Sequence, residues 1–141
     1  MTKIVINDPK EKKSYQVEKE APSLIGMNIG QNFDGSMIGL GGFTLQIRGG
    51  SDKEGFPMRS DVKGPGRKKF LLKGGSGYNP KKKGIKRRKY VRGNQISDAI
   101  EQINVKVVEG EGDIPLMLGI KKEEPKEEAK PEEKPAEEKK D

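Results

Sequence analysis

The sequence predicts a small, mainly β protein, and three observations support that fold class. Short β-branched runs such as "TKIVIN", residues 2–7, and "QINVKVVEG", residues 102–110, are separated by turn residues and lack helical periodicity. Glycine is frequent, with 19 residues in the chain, and six of them lie among apolar residues in the segment 24–47. Such spacing is typical of strands with tight bends at the corners of a small antiparallel β-barrel.

The individual elements follow from local patterns. The run "SYQVE", residues 14–18, comes after the turn-like "DPKEKK", so the first two strands should form a hairpin with a wide loop. "RKKFLL", residues 67–72, and "KYVRG", residues 89–93, are two further strands, joined by a long basic loop. Little helix is expected, limited to one turn in "SDAIEQ" with Ser97 as its cap.

The charge pattern divides the chain into two parts. Residues 121–141 contain 7 Lys, 9 acidic residues and three prolines, with no aromatic residue and no Ser or Thr. This composition cannot bury enough apolar area to offset the cost of ordering the chain, so we expect a disordered tail. Residues 1–120 then form one folded body, in which basic side chains exceed acidic ones by 22 to 13.

Several functional classes are excluded by composition. The chain has no Cys and no His, which removes thiol nucleophiles, imidazole bases and the usual zinc sites. The glycine runs "GLGGFT" and "GPGRKK" match neither the dinucleotide fingerprint nor the P-loop, and the acids are scattered. We therefore expect no enzyme, no cofactor, no metal and no small-molecule substrate. No apolar run is long enough for a membrane span or a signal peptide, which predicts a cytoplasmic protein without membrane contact.

The basic segment 59–92 is the feature of the sequence that most directly indicates a function. It carries 14 basic residues against a single acid, Asp61, and such a density of cations favours binding to a polyanion. Nucleic acid is the natural partner. Six of its apolar residues need a place to be buried, which favours a folded surface over a detached tag: Phe70, Leu71, Leu72, Ile85, Tyr90 and Val91. A solvated face and a nuclear localisation signal remain open alternatives.

The candidate RNA-binding residues are the cations of this segment, one arginine before it and one tyrosine within it. Tyr78 and Tyr90 could each stack on an unpaired base, or lie as half-buried rings at a strand edge. The candidates are Arg48, Arg59, Lys63, Arg67, Lys68, Lys69, Lys73, Tyr78, Lys81, Lys82, Lys83, Lys86, Arg87, Arg88, Lys89 and Arg92. Just before the segment, "GGSDKEGFPM", residues 49–58, should form an ordered loop with a buried Phe56 as its anchor.

The segment 48–93, "RGGSDKEGFPMRSDVKGPGRKKFLLKGGSGYNPKKKGIKRRKYVRG", resembles the signature region of the ribosomal protein S6e family of archaea and eukaryotes. The resemblance covers about residues 2–119. It implies a β-barrel body on the small (30S) subunit, bound to ribosomal RNA beside neighbouring ribosomal proteins, with a structural role in translation in the cytoplasm. The chain is similar to the short archaeal members, because it lacks the basic C-terminal helix with phosphorylated serines that eukaryotic members carry.

Two alternatives to a ribosomal role remain at this point. The chain could be a free-standing RNA-binding protein or an RNA chaperone, since the basic segment alone does not identify its RNA. An enzyme acting on RNA would need an acid-rich metal site, and the body offers no such pattern.

Overall fold

The computed structural model describes residues 1–110 and 112–119, and the predicted tail at 121–141 lies outside the described residues. Strands make up most of the regular secondary structure in the described chain. The elements in chain order are β1 (Thr2–Asp8), β2 (Lys13–Lys19), β3 (Asn32–Asp34), β4 (Thr44–Asp52), β5 (Arg67–Leu72), β6 (Arg87–Arg92), β7 (Ile100–Glu109) and a single helical turn, α1 (Ile114–Met117). Two short 3-10 turns, Pro22–Leu24 and Gly35–Ile38, precede and follow β3. The prediction of a mainly β fold is confirmed.

Five strands form one sheet in the order β2-β1-β7-β4-β3. The first two strands are an antiparallel hairpin, as predicted, with Ile4 opposite Val17 and Ile6 opposite Tyr15. β7 lies in the centre of the sheet, where it pairs in parallel with β1 and antiparallel with β4. Its Val105 is therefore flanked by Ile6 on one side and Ile47 on the other, which makes a continuous apolar row across the sheet.

The predicted label of a small antiparallel β-barrel is imprecise, because the five-stranded sheet does not close into a barrel. In the described part of the chain, β2 and β3 each pair with one neighbour, and the contact between β1 and β7 is parallel. β3 is only three residues long, and turns, including the 3-10 turn Gly35–Ile38, occupy much of the glycine-rich segment expected to form bent strands. Strands β5 and β6 pair with each other and leave the sheet as a separate two-stranded ribbon.

The core lies against one face of the five-stranded sheet. Alternate residues of β1, β4 and β7 point into it, as expected for strands with one buried face. The segment 22–43 covers them with its own apolar side chains, including Leu24, Leu40 and Phe43. The buried core residues of the sheet strands are Ile4, Ile6, Phe33, Leu45, Ile47, Ile100, Ile103, Val105 and Val107.

The ribbon of β5 and β6 is attached to the sheet by the segment 57–59. Pro57 bridges to Ser51 at the end of β4, and Met58 bridges to Arg92 at the end of β6. A second, smaller apolar cluster of Val62, Leu72 and Val91 lies beneath the ribbon. The ribbon therefore has a fixed base at the sheet.

The connection after β6 differs from the helical turn predicted there. Residues 98–99 form a tight turn closed by a hydrogen bond from the Ile100 amide to the Ser97 carbonyl, and β7 begins at once. The Ile100 side chain is buried in the core, and this tertiary packing outweighs the local helix propensity of the segment. No helix in the part of the chain that the structure describes is long and apolar enough to span a membrane.

Gly93 marks a close approach of two backbones at the base of the ribbon. Its amide donates to the Gly66 carbonyl at 3.0 Å, and a Cβ atom at Gly93 would collide with the Gly64 carbonyl. We expect Gly93→Ala to lower the free energy of unfolding by about 1–3 kcal/mol, because the backbone must move to admit the methyl group. Guanidinium unfolding of Gly66→Ala supplies the control, since a Cβ there meets open space. Equal losses in both variants would contradict the close approach.

Candidate nucleic-acid interface

The ribbon presents two faces whose members alternate along each strand. Leu72 and Val91 lie on the inner face and are buried in the small cluster. The outer face carries the cross-strand neighbours Arg67 and Arg92, which are directly opposite each other. Like charges in this position are destabilising unless an anion lies between them. The ribbon therefore needs a counter-charge at its base.

Asp52 supplies that counter-charge from the end of β4. Its Oδ2 accepts from Arg67 at 2.7 Å and from Arg92 at 3.0 Å, so one carboxylate oxygen bridges the two arginines. The Asp52 side chain is only 1% exposed, which removes the competition from water that weakens surface ion pairs. The Asp52 carboxylate thus ties both strands of the ribbon to the main sheet.

The other carboxylate oxygen of Asp52 orders the loop 53–56. Its Oδ1 accepts from the Glu54 amide at 3.0 Å and from the Phe56 amide at 2.9 Å. Burial by itself would raise the pKa of the Asp52 carboxyl, but the Phe56 N–H and the two arginines outweigh it and hold that pKa below its ordinary value. The carboxyl is therefore ionised throughout the neutral range.

Phe56 has a lesser role than predicted. Its ring is half-buried, with the Arg67 guanidinium carbon 4.3 Å from the ring centroid and the Tyr90 ring edge-on at 6.1 Å. The anchor of this loop is Asp52, which the sequence analysis did not single out. The "D-K-E-G" order, with an Asp before a turn glycine, is the one local signal that pointed to it.

Arg59 fixes the long loop between the two ribbon strands. Its guanidinium donates to the carbonyls of Ser76 at 3.0 Å and Gly74 at 3.3 Å, and it pairs with Asp61 at 2.6 Å. The arginine fork thereby holds two points of a glycine-rich loop that has no regular structure of its own. Three of the predicted RNA-binding arginines, Arg59, Arg67 and Arg92, are thus engaged within the protein.

The remaining cations of the segment 59–92 are all exposed. None of them lies within 4.0 Å of an acidic side chain among residues 1–110 and 112–119. Arg48, on β4, is also exposed and donates to Gln46 at 3.4 Å. The eleven exposed cations of the ribbon and its loops are Lys63, Lys68, Lys69, Lys73, Lys81, Lys82, Lys83, Lys86, Arg87, Arg88 and Lys89. We call this set the cationic surface.

The burial predicted for the apolar residues of the segment is confirmed for two and wrong for four. Leu72 and Val91 are buried, whereas Phe70 and Ile85 are each 39% exposed. Leu71 and Tyr90, on the outer face, are 58% and 48% exposed. The reason is geometric: a two-stranded ribbon is a single layer, and the small cluster covers only the inner end of one face. The cationic surface therefore includes apolar side chains.

Tyr78 lies at the inner face of the ribbon. It packs, partly buried, against the cluster of Val62, Leu72 and Val91, and its amide donates to the Gly75 carbonyl at 3.1 Å. Among the residues that the structure describes, no three Asp, Glu, His or Cys side chains are grouped so that they could hold a metal ion.

The fold and this interface define a class, a small mainly β protein with an exposed cationic ribbon held by a buried carboxylate. The family model for ribosomal protein S6e matches residues 2–119, and the chain belongs to the ribosomal protein S6e family. Members of this family are structural components and not enzymes. The resemblance noted in the sequence is thereby confirmed.

Three archaeal relatives, each named small ribosomal subunit protein eS6, illustrate the match. The chain is 53% identical to the protein of Methanocaldococcus jannaschii over 119 residues, which covers 84% of this chain and 91% of the relative. It is 53% identical to that of Methanosphaera stadtmanae over 110 residues, covering 76% and 83%. The protein of Methanothermobacter thermautotrophicus is 50% identical over 125 residues, covering 86% and 98%. The similarity therefore extends over nearly the whole of each relative.

Proposed function

We propose that the chain is a structural protein of the small ribosomal subunit that binds ribosomal RNA through the cationic surface. The observation that carries this proposal is that the cations of the ribbon fall into two groups, those bound within the protein and those exposed without an acidic partner among the described residues. Two arginines tie the ribbon to the main sheet, a third holds its loop, and eleven exposed cations have no acidic partner among the described residues. Binding to a phosphate backbone relieves their mutual repulsion and releases condensed counterions.

The shape of the ribbon favours recognition of RNA structure over base sequence. Duplex RNA hides its base edges in a deep, narrow major groove, so phosphates and the shallow minor groove are what a protein surface contacts. Lysine and arginine side chains extend from both faces of the ribbon, since cations occur at neighbouring positions such as Lys68 and Lys69. A ribbon charged on both faces suits a junction where RNA strands lie on two sides. Neighbouring ribosomal proteins would contact the surfaces outside the ribbon.

Sedimentation of the endogenous protein tests this proposal. We expect it to stay with small subunits in sucrose gradients containing salt high enough to strip loosely bound basic proteins, because many phosphate contacts act together. Recovery at the top of the gradient, with retained affinity for purified RNA, would instead support a free-standing RNA-binding protein or RNA chaperone. A protein with no salt-dependent RNA affinity would contradict both.

A further inference from the structure

We infer that the inner face of the ribbon carries a recess for one unpaired RNA nucleotide, an inference that rests on the proposed function and deepens it. The recess has a volume of about 310 Å³. Its lining includes Tyr78, Asn79, Ile85, Lys81, Arg87 and Lys89. The volume is at the lower end of the range for small-ligand sites, which suits a single nucleotide and is too small for a stacked base pair.

The Tyr78 side chain is partly buried where it lines this recess. It is held from behind by Leu72 and Val91, and the preceding glycine is packed against the same cluster. A Cβ at Gly77 would contact Val91 at 3.0 Å, and Gly77 has a φ of 93°, so this position requires glycine. The Gly77 backbone therefore fixes the point from which the Tyr78 side chain extends, and the small cluster restricts that side chain. A ring that is already immobilised loses little entropy when a base stacks on it.

The chemistry of the lining matches the two parts of a nucleotide. Tyr78 and the 39% exposed Ile85 offer a flat aromatic ring and an apolar contact, which suit the face of a base. Lys81, Arg87 and Lys89 are exposed around them, and none of the described residues that line the recess is acidic. These cations would pair with the phosphates that flank the base. Charge complementarity thus favours an RNA nucleotide over a neutral apolar ligand.

Three RNA hairpins of one sequence test the inference with the full-length chain. One stem is fully paired, one has a single-nucleotide bulge, and one has an abasic residue at the bulge. We expect the bulged hairpin to bind at least about fivefold more tightly than the paired one, with this gain lost in the abasic hairpin. A 2-aminopurine at the bulge should lose fluorescence on binding, because it stacks on the Tyr78 ring.

Tyr78→Leu is the diagnostic variant, since leucine keeps the packing against the small cluster but lacks a stacking ring. We expect it to abolish the preference for the bulge and the fluorescence loss while leaving the affinity for the paired hairpin unchanged. Ile85→Ser, at an exposed position, should reduce the same preference. Tyr90→Leu is the matched control, because Tyr90 lies on the outer face and should leave the preference intact.

The remaining outcomes overturn the inference in distinguishable ways. Equal affinity for all three hairpins, with a normal salt dependence, would show that the recess does not bind an unpaired nucleotide. The proposed function would then still hold. Equal weakening of all three by Tyr78→Leu would make Tyr78 a purely structural residue. Binding of a peptide rich in Glu and Phe that requires Tyr78, without preference among the hairpins, would assign the recess to an acidic protein segment. Loss of all salt-dependent RNA binding in the parent chain would overturn both the recess and the proposed function.

Discussion

Replacing Lys81, Lys82, Lys83, Arg87 and Arg88 by Gln is expected to weaken binding to ribosomal RNA on the order of a thousandfold at 0.1 M salt. Each phosphate contact contributes about 0.7 to 0.9 to the slope of log affinity against log salt, so losing five should make the slope shallower by roughly 3.5 to 4.5 units. The five side chains are exposed and form no ion pair among the described residues, so the fold should survive. Filter binding from 0.05 to 0.5 M salt measures the slope.

The chain offers a control of equal charge change. Replacing Lys3, Lys10, Lys12, Lys13 and Lys106 by Gln removes five cations from β1, β7 and the first hairpin, outside the ribbon. This variant should keep most of the parent's slope of log affinity against log salt, and it should still be incorporated into small subunits. If both variants lost the same slope, net charge and not the cationic surface would determine binding. A ribbon variant with the parent's slope would direct the search to Arg48 and Lys63.

Asp52→Asn is expected to destabilise the protein by about 3 kcal/mol, as is usual when one partner of a buried ion pair is removed. The substitution keeps the Oδ1 acceptor for the Glu54 and Phe56 amides but turns the Oδ2 position into a donor that faces Arg67 and Arg92. The two arginines, opposite each other in the ribbon, then lack their shared anion. Urea unfolding measures the loss, and hydrogen exchange in β5 and β6 should show that the ribbon opens first.

The pH dependence of stability identifies the carboxylate as the cause. Because the folded pKa of Asp52 is depressed, its contribution is present above the ordinary aspartate pKa of about 3.9 and is lost as pH falls through the folded value. The gap in stability between the parent and Asp52→Asn should therefore narrow below about pH 4. Asp61→Asn is the control, since its side chain is 64% exposed and its pair with Arg59 is screened by water. A gap that stays constant down to pH 2 would contradict the assignment.

The strands were predictable where local chemistry alone decides them. β5 spans the predicted residues 67–72, and the alternation of Ile103, Val105 and Val107 places β7 with one face in the core. The order of the strands in the open sheet was not predictable in this way. It depends on the parallel pairing of Ile4 with Ile103, and no short pattern encodes a pairing between residues so far apart in sequence. Glycine spacing also does not distinguish a bent strand from the 3-10 turns that the structure contains.

The candidate site was only partly predictable from composition. The density of cations identified the ribbon correctly, but it could not separate cations that face solvent from those that hold the fold. That separation depends on Asp52, which lies 15 residues before Arg67 and 40 before Arg92. The exposure of Leu71 and Tyr90 was missed for a related reason, since burial of a strand residue depends on whether a second layer covers it. Both errors concern tertiary contacts.

The parallel contact between β1 and β7 also sets the order of events as the chain is made. β1 emerges first but acquires its central neighbour only once residues 102–106 have been synthesised, because Lys3 pairs with Gln102 and Asn7 with Lys106. Contacts of such long sequence separation slow folding, since the intervening loop must be closed first. The ribbon, by contrast, pairs residues at most 25 positions apart. During synthesis the cations of the ribbon are therefore available to RNA before the hydrophobic core is complete, so the nascent chain can attract RNA while its apolar strands are still unpaired.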